Sequence, residues 1–84
     1  MKKVLEIGAG VDYYKPQKDE HVVYLDNVRL PHINVVHDLN KYPYPFKNGE
    51  FDKIVCSHIL EHVTDLDKTL KELKRISKNG AIIK

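Results

Sequence analysis

The residues best suited to ligand chemistry are a glutamate, two glycines and an aspartate in the first third of the chain. Glu6, Gly8 and Gly10 close an apolar run over residues 4–7, and Asp26 closes the next apolar run. An apolar run that ends at two closely spaced glycines predicts a buried parallel strand entering a tight turn, where the backbone can approach a ligand. An acidic residue at the tip of the following strand is where nucleoside-binding α/β sheets hold ribose hydroxyls.

Glu6 indicates which nucleoside ligand the turn could accept. A dinucleotide presents its pyrophosphate to such a turn, and a carboxylate there would repel it. A ligand with a cationic end would be attracted, and S-adenosylmethionine, with its ammonium and sulfonium groups, fits that description. Tyr13 stands where a dinucleotide fingerprint has its third glycine. Glycine pairs mark many turns, so an ordinary turn beside a surface carboxylate is the alternative.

A third strand end carries Asp38 and Leu39, directly after the predicted strand over residues 34–37. The Asp38 carboxylate could accept a hydrogen bond from an exocyclic amine, while Leu39 packs on a purine face. The alternative for Asp38 is a turn former before Asn40. The aromatic, proline-containing loop at 42–46 is consistent with either ligand contact or packing beneath a loop.

A fourth apolar run, predicted as a strand over residues 52–57, delivers Ser57 and His58 to the same edge. His58 is the candidate general base, because an unperturbed imidazole titrates near neutrality; a histidine that caps the strand end or packs under a loop is the alternative. Cys56 lies within the apolar run and is interpreted as a small buried hydrophobe and not as a nucleophile.

His58, Glu61 and His62 also match the H-x-x-E-H pattern of a class of zinc peptidases. That chemistry needs both histidines on one helical face and a third protein ligand. Here the pattern follows a strand, and Glu72, the best third ligand, is predicted on the polar side of a helix. We therefore expect no metal site.

The hydrophobic pattern predicts one helix, over residues 65–77, and five strands. Thr64 or Asp65 can cap the start of the helix, and Asn79 with Gly80 stops it. Its predicted apolar stripe consists of Leu66, Leu70, Leu73 and Ile76. The predicted strands cover residues 3–7, 21–25, 34–37, 52–57 and 81–84.

The connections between the first three strands are short for parallel crossovers, which usually contain a helix. Pro16 and Pro31 interrupt them. We therefore expect one face of the sheet to be thinly covered. The chain is expected to dimerise, to pair with a missing carboxyl-terminal portion, or to be only marginally stable alone.

Composition describes one small globular domain over residues 1–84, with 42% hydrophobic and 31% charged residues. A net charge of +2, with basic and acidic residues interspersed, does not favour nucleic acid as a partner. The single cysteine suits a reducing cytoplasm. No secretory signal or membrane-spanning segment is predicted, so a cytoplasmic location without membrane association is expected.

The ordered series of motifs resembles the amino-terminal half of a class I S-adenosylmethionine-dependent methyltransferase, in the group called methyltransferase type 11. The series consists of residues 6–10 at the cofactor motif, Asp26 at the ribose-binding acid, Asp38 and Leu39 at the adenine position, residues 51–62 at the fourth strand and its turn, and residues 73–80 before the fifth strand.

The resemblance implies a Rossmann-like, mostly parallel sheet of order 3-2-1-4-5, truncated after the fifth strand and with few helices. It implies S-adenosylmethionine as cofactor and methyl transfer to an unidentified acceptor. Glu6 would orient the methionine portion through a water or a backbone amide, with Ser57 and His58 near the methyl group. A non-catalytic S-adenosylmethionine-binding module, or a fragment that needs a partner chain, is the alternative. The missing third glycine and the reduced helices depart from the family pattern.

Overall fold

A computed structural model describes residues 1–8, 13–56, 63–78 and, for the backbone alone, 82–83. In these ranges the chain forms a parallel sheet of order β3-β2-β1-β4-β5 and one helix. The predicted fold class, a Rossmann-like sheet with few helices, is confirmed. The elements are β1 Lys2–Ile7, β2 Glu20–Asp26, β3 Val35–Val36, β4 Lys53–Cys56, α1 Leu66–Ile76 and β5 Ile82–Ile83.

Strand β1 is the centre of the sheet, paired with β2 along one edge and with β4 along the other. Because side chains alternate along a strand, this register sorts the sheet residues onto two faces. Leu5 and Ile7 lie on one face, here called the helix face, together with their partners in β2 and β4. Val4 and Glu6 lie on the other, here called the tyrosine face because two tyrosines pack on it.

The helix face carries the main core. Leu5 and Ile7 of β1 belong there to the same buried cluster as Leu73 and Ile76 of α1. Burial of a branched aliphatic side chain of this size contributes about 1.5–3 kcal/mol, so this layer is a main source of stability. The buried members of the core are Leu5, Ile7, Leu25, Leu39, Tyr44, Phe51, Ile54, Cys56, Leu73 and Ile76.

The tyrosine face is covered by the segment that returns from β1 to β2. Tyr13 stacks on His32, with ring centroids 4.0 Å apart, and meets the ring of Tyr24 edge-on at 5.4 Å. The four β1 residues from Val4 to Ile7 are at most 1% exposed. The expectation of a thinly covered face is therefore wrong at the central strand, because aromatic side chains from the described part of the connection cover it.

Helix α1 starts and stops through local contacts. Of the two candidate caps, Asp65 is the one used: its side chain accepts a hydrogen bond from the Lys68 amide at 3.0 Å. The helix ends at Ile76, and Ser77 turns into an extended conformation that bridges to Phe51. The predicted stop at residues 79–80 lies outside the described residues. No helix in the described ranges has the length and apolar character needed to span a membrane.

The predicted stripe of α1 is wrong in its first half. Leu73 and Ile76 are fully buried, but Leu66 and Leu70 are 45% and 39% exposed, and Thr69 is buried in their place. The Thr69 hydroxyl forms a hydrogen bond with the Tyr42 phenol, at 2.6 Å between the oxygens. Thr69, Leu73 and Ile76 have helical spacing too, so a partner distant in sequence decides which face turns inward.

Replacement of two leucines on α1 tests this rotation. Leu73→Ala should lower the free energy of unfolding by about 2–5 kcal/mol, because it leaves a cavity in the core. Leu70→Ala, the same chemical change three positions earlier, should cost less than about 1 kcal/mol because its side chain is partly solvated. Urea unfolding followed by far-ultraviolet circular dichroism measures both. Equal losses would contradict the described orientation of α1.

Candidate functional site

The candidate site lies at the edge of the sheet where the parallel strands have their carboxyl ends. Gly8 follows β1 with φ +75°, a conformation that residues with a Cβ rarely adopt. Its amide donates to the carbonyl of Leu25 at 3.0 Å, which holds the glycine beside the end of β2. The structure therefore brings Gly8 and Asp26 together, as predicted for a nucleoside site.

Glu6 points its carboxylate into the tyrosine face and is 1% exposed. Its Oε1 accepts a hydrogen bond from the backbone amide of Tyr14 at 2.7 Å. A buried carboxylate is stable only when it is hydrogen-bonded, so this contact fixes both the side chain and the returning chain. The contact is to a backbone amide, and orientation of a methionine portion by Glu6 stays a prediction.

Asp26 closes β2 with its carboxylate half-buried. Oδ1 accepts the amide of Asn27 at 2.7 Å and that of Val28 at 3.4 Å, which shapes the turn after the strand. The Asp26 carbonyl accepts the amide of His37 at 2.9 Å and thereby fixes the neighbouring strand end. No donor in the described ranges bonds to Oδ2, so the carboxylate keeps acceptor capacity for a hydroxyl group.

Asp38 and Leu39 lie one strand further along the edge and serve structural roles there. Oδ1 of the exposed Asp38 accepts the amide of Asn40 at 2.9 Å, the turn-forming geometry considered as its alternative role. Leu39 belongs to the core with 8% exposure, and the phenol of Tyr44 donates to its carbonyl at 2.9 Å. Contact of either residue with a purine stays a prediction.

The aromatic loop packs against α1. Tyr44 is 2% exposed, and burial raises the pKa of its phenol above the ordinary value. The amide of Tyr44 donates to Glu72, whose carboxylate is also paired with Arg75. That guanidinium lowers the pKa of Glu72. For Tyr44 the packing interpretation is therefore correct.

Five of the predicted functional residues belong to other parts of the chain. Gly10, Ser57 and His58, together with the Glu61 and His62 of the zinc-like pattern, lie outside the described residues. Glu72, the candidate third ligand, is engaged with Tyr44 and Arg75 as described above. Within the described ranges no three ligating side chains form a metal cluster.

A polar cluster on the tyrosine face was missed by the sequence analysis. The Tyr14 hydroxyl donates to Glu20 Oε1 at 2.7 Å and accepts from Lys53 Nζ at 2.8 Å, while Lys53 and Glu20 form an ion pair at 2.9 Å. The hydrogen bonds from Lys53 and Tyr14 lower the pKa of Glu20 from 4.5 to about 2. The bonds to Tyr14 and Glu20 raise the pKa of Lys53. The alternation of side chains along the strands could have indicated this cluster, but only if the register of β1, β2 and β4 were known.

The glycine turn, the acid after β2 and the order of the strands agree with one protein family. A family profile described as a methyltransferase domain matches residues 7–83. The chain belongs to the methyltransferase domain family. The matched region includes Gly8, Asp26 and Asp38 and begins directly after Glu6.

Similar proteins cover the domain to different extents. A solved SAM dependent methyltransferase from Aquifex aeolicus superimposes with a TM-score of 0.69 over 92% of this chain and 51% of that one, at 22% identity, which shows the shared fold. An uncharacterized protein of Methanocaldococcus jannaschii is 35% identical over 88 residues, 90% of this chain and 36% of its own length. Ajmaline N-methyltransferase from Rauvolfia serpentina is 38% identical over 48 residues, 57% of this chain and 16% of its own length. The methyltransferase domain described here thus spans about a third or less of the curated relatives it matches.

The pKa of Glu20 predicts how this domain responds to acid. Above pH 4.5 the carboxylate is ionised in both the folded and unfolded chains, and its stabilisation is fully present. As the pH falls from 4.5 towards about 2, Glu20 becomes protonated in the unfolded chain but stays ionised in the folded chain. The free energy of unfolding therefore falls.

Glu20→Gln removes this titration but keeps an oxygen that can accept from Tyr14. The difference in unfolding free energy between wild type and Glu20→Gln should therefore shrink between pH 4.5 and about pH 2. Urea midpoints at a series of pH values measure it. Other paired carboxylates titrate in both proteins and cancel in the difference. A difference that is constant across this range would contradict the assignment.

Proposed function

We propose that this domain binds S-adenosylmethionine at the carboxyl edge of its sheet and transfers the methyl group to an acceptor. The observation that carries the proposal is the placement of Asp26 beside the Gly8 turn, joined by the hydrogen bond from Gly8 to Leu25 at 3.0 Å. Membership of the methyltransferase domain family and the solved SAM dependent methyltransferase fold support the same ligand.

The adenosine portion would be recognised by carboxylates at two neighbouring strand ends. Asp26 would accept hydrogen bonds from the ribose hydroxyls at Oδ2, because Oδ1 is engaged with the turn amides. Asp38 would accept from the adenine amine, and its exposed position leaves it accessible to a ligand. Leu39 would contribute only its small exposed surface to the purine face.

The methionine portion would lie towards Gly8. Glu6 would help to orient this portion by fixing the Tyr14 backbone amide. Its negative charge would favour a cationic ligand over a pyrophosphate. Gly10 and Ser57 complete the proposed cofactor-binding set.

The chemistry is a displacement at a methyl group bound to a sulfonium centre. The acceptor nucleophile forms the new bond to the methyl carbon as the carbon–sulfur bond breaks, and S-adenosylhomocysteine leaves. The protein contributes orientation and exclusion of water. Where the acceptor must lose a proton, His58 is the proposed base.

A second candidate function is a non-catalytic S-adenosylmethionine-binding module that works with a partner chain or with a second copy. Detection of S-adenosylhomocysteine as a product separates the candidates: the enzyme forms it when supplied with a methyl acceptor, whereas the module binds the cofactor without turnover.

Asp26→Asn tests the ribose contact with little disturbance of the turn. The amide oxygen can still accept from Asn27 and Val28, while the free carboxylate oxygen becomes a donor. Affinity for S-adenosylhomocysteine should fall roughly tenfold to a hundredfold, because ribose hydroxyls lose a charged acceptor. Isothermal titration calorimetry measures it. Asp67→Asn, the same change in the first turn of α1, is the matched control and should bind as wild type does. Unchanged affinity in Asp26→Asn would refute this placement of adenosine.

A further inference from the structure

Tyr14 is fixed by hydrogen bonds at each of its polar groups. Its amide donates to Glu6 Oε1 at 2.7 Å, and its carbonyl accepts from the phenol of Tyr24 at 2.7 Å. Its own hydroxyl donates to Glu20 at 2.7 Å and accepts from Lys53 at 2.8 Å. Tyr14 is thus fixed in position by hydrogen bonds although it lies outside the helix and the strands.

These contacts reach three strands. Glu6 belongs to β1, Glu20 and Tyr24 to β2, and Lys53 to β4. The Glu20 and Lys53 side chains are 6% and 25% exposed, so solvent screens their attraction less than it would at an open surface. Charged partners also strengthen the two hydrogen bonds of the Tyr14 hydroxyl. Tyr14 is therefore hydrogen-bonded to the strands on both sides of β1.

The same residue adjoins the candidate cofactor site. Through its amide it fixes the carboxylate of Glu6, which lies two positions before Gly8 in the sequence. A shift of Tyr14 would therefore move the Glu6 carboxylate.

We propose that Tyr14, braced by Lys53 and Glu20, is a positioning residue for the end of the site that takes the amino-acid portion of the cofactor. The role rests on the proposed function. Tyr14 acts through Glu6, and Asp26 at the end of β2 lies outside the hydrogen-bonding network of Tyr14 in the described residues. Its effect therefore falls on ligands that carry the methionine or homocysteine portion, and not on adenosine alone.

Two ligands and three variants of the full chain test this role. Tyr14→Phe removes only the hydroxyl, and Lys53→Met removes the charge that braces it. Both should weaken S-adenosylhomocysteine binding roughly tenfold, a difference of about 1.4 kcal/mol, and leave adenosine binding within about twofold of wild type. Lys53→Arg keeps the charge and should restore most of the affinity. Calorimetric titration below the unfolding transition of every variant supplies the numbers.

Lys3→Met is the matched control. Lys3 also pairs with a glutamate, Glu50, but it lies on β1 away from Tyr14. This variant should lose stability to a similar degree and keep its affinity for both ligands. Hydrogen exchange of the Tyr14 amide gives a readout that needs no ligand: it should quicken in Tyr14→Phe and Lys53→Met but not in Lys3→Met.

Three outcomes would overturn the positioning role: equal losses of affinity for the two ligands, equal losses in Lys53→Met and Lys3→Met, or unchanged amide exchange. A wild-type chain that binds neither ligand would overturn the proposed function, and the positioning role would fall with it. A wild-type chain that binds both, together with variants that do the same, would overturn the positioning role alone.

Discussion

The burial of one carboxylate determines how the tyrosine face is built. Glu6 lies in the central strand at 1% exposure, and a charge in such a place must be hydrogen-bonded by the protein. The Tyr14 amide meets that need, which requires the chain to return across the sheet directly over β1. Once it does, the Tyr14 hydroxyl reaches Glu20 and Lys53, and Tyr13 closes the face against Tyr24. A short, proline-containing connection can therefore cover a face that a crossover helix usually covers.

Local patterns in the sequence were sufficient for much of the fold. The strands and the start of α1 depend on neighbouring residues, and these predictions were confirmed with small shifts of boundary; of the two caps considered, Asp65 is the one used. The order of the sheet followed from the resemblance to a family and was also confirmed. The stripe of α1 depends on a contact with Tyr42, which lies 27 residues away in sequence from Thr69. Periodicity cannot identify such a partner, so two exposed leucines were assigned to the core.

In the candidate site too, local patterns predicted some residues correctly, whereas contacts distant in sequence could not be predicted. Gly8 and Asp26 could be placed from sequence because parallel strands bring their carboxyl ends to one edge. The bond between Lys53 and Tyr14 joins residues 39 apart, and only the register of the strands brings them together. Asp38 illustrates a different difficulty: an aspartate that shapes a turn and one that binds a ligand have the same sequence context, and here the carboxylate does shape a turn.

The ion pair between Glu20 and Lys53 passes over β1 and joins the strands on either side of it. β1 therefore has a hydrogen-bonded strand on each side and an ion pair across one face. Its separation from the sheet would require β2 or β4 to separate as well. Opening of this face should therefore be cooperative across three strands, whereas β3, with two residues, can fray independently. In amide exchange the three inner strands would then form one unit of protection, and the turn that begins at Gly8 would be attached to its most slowly opening part.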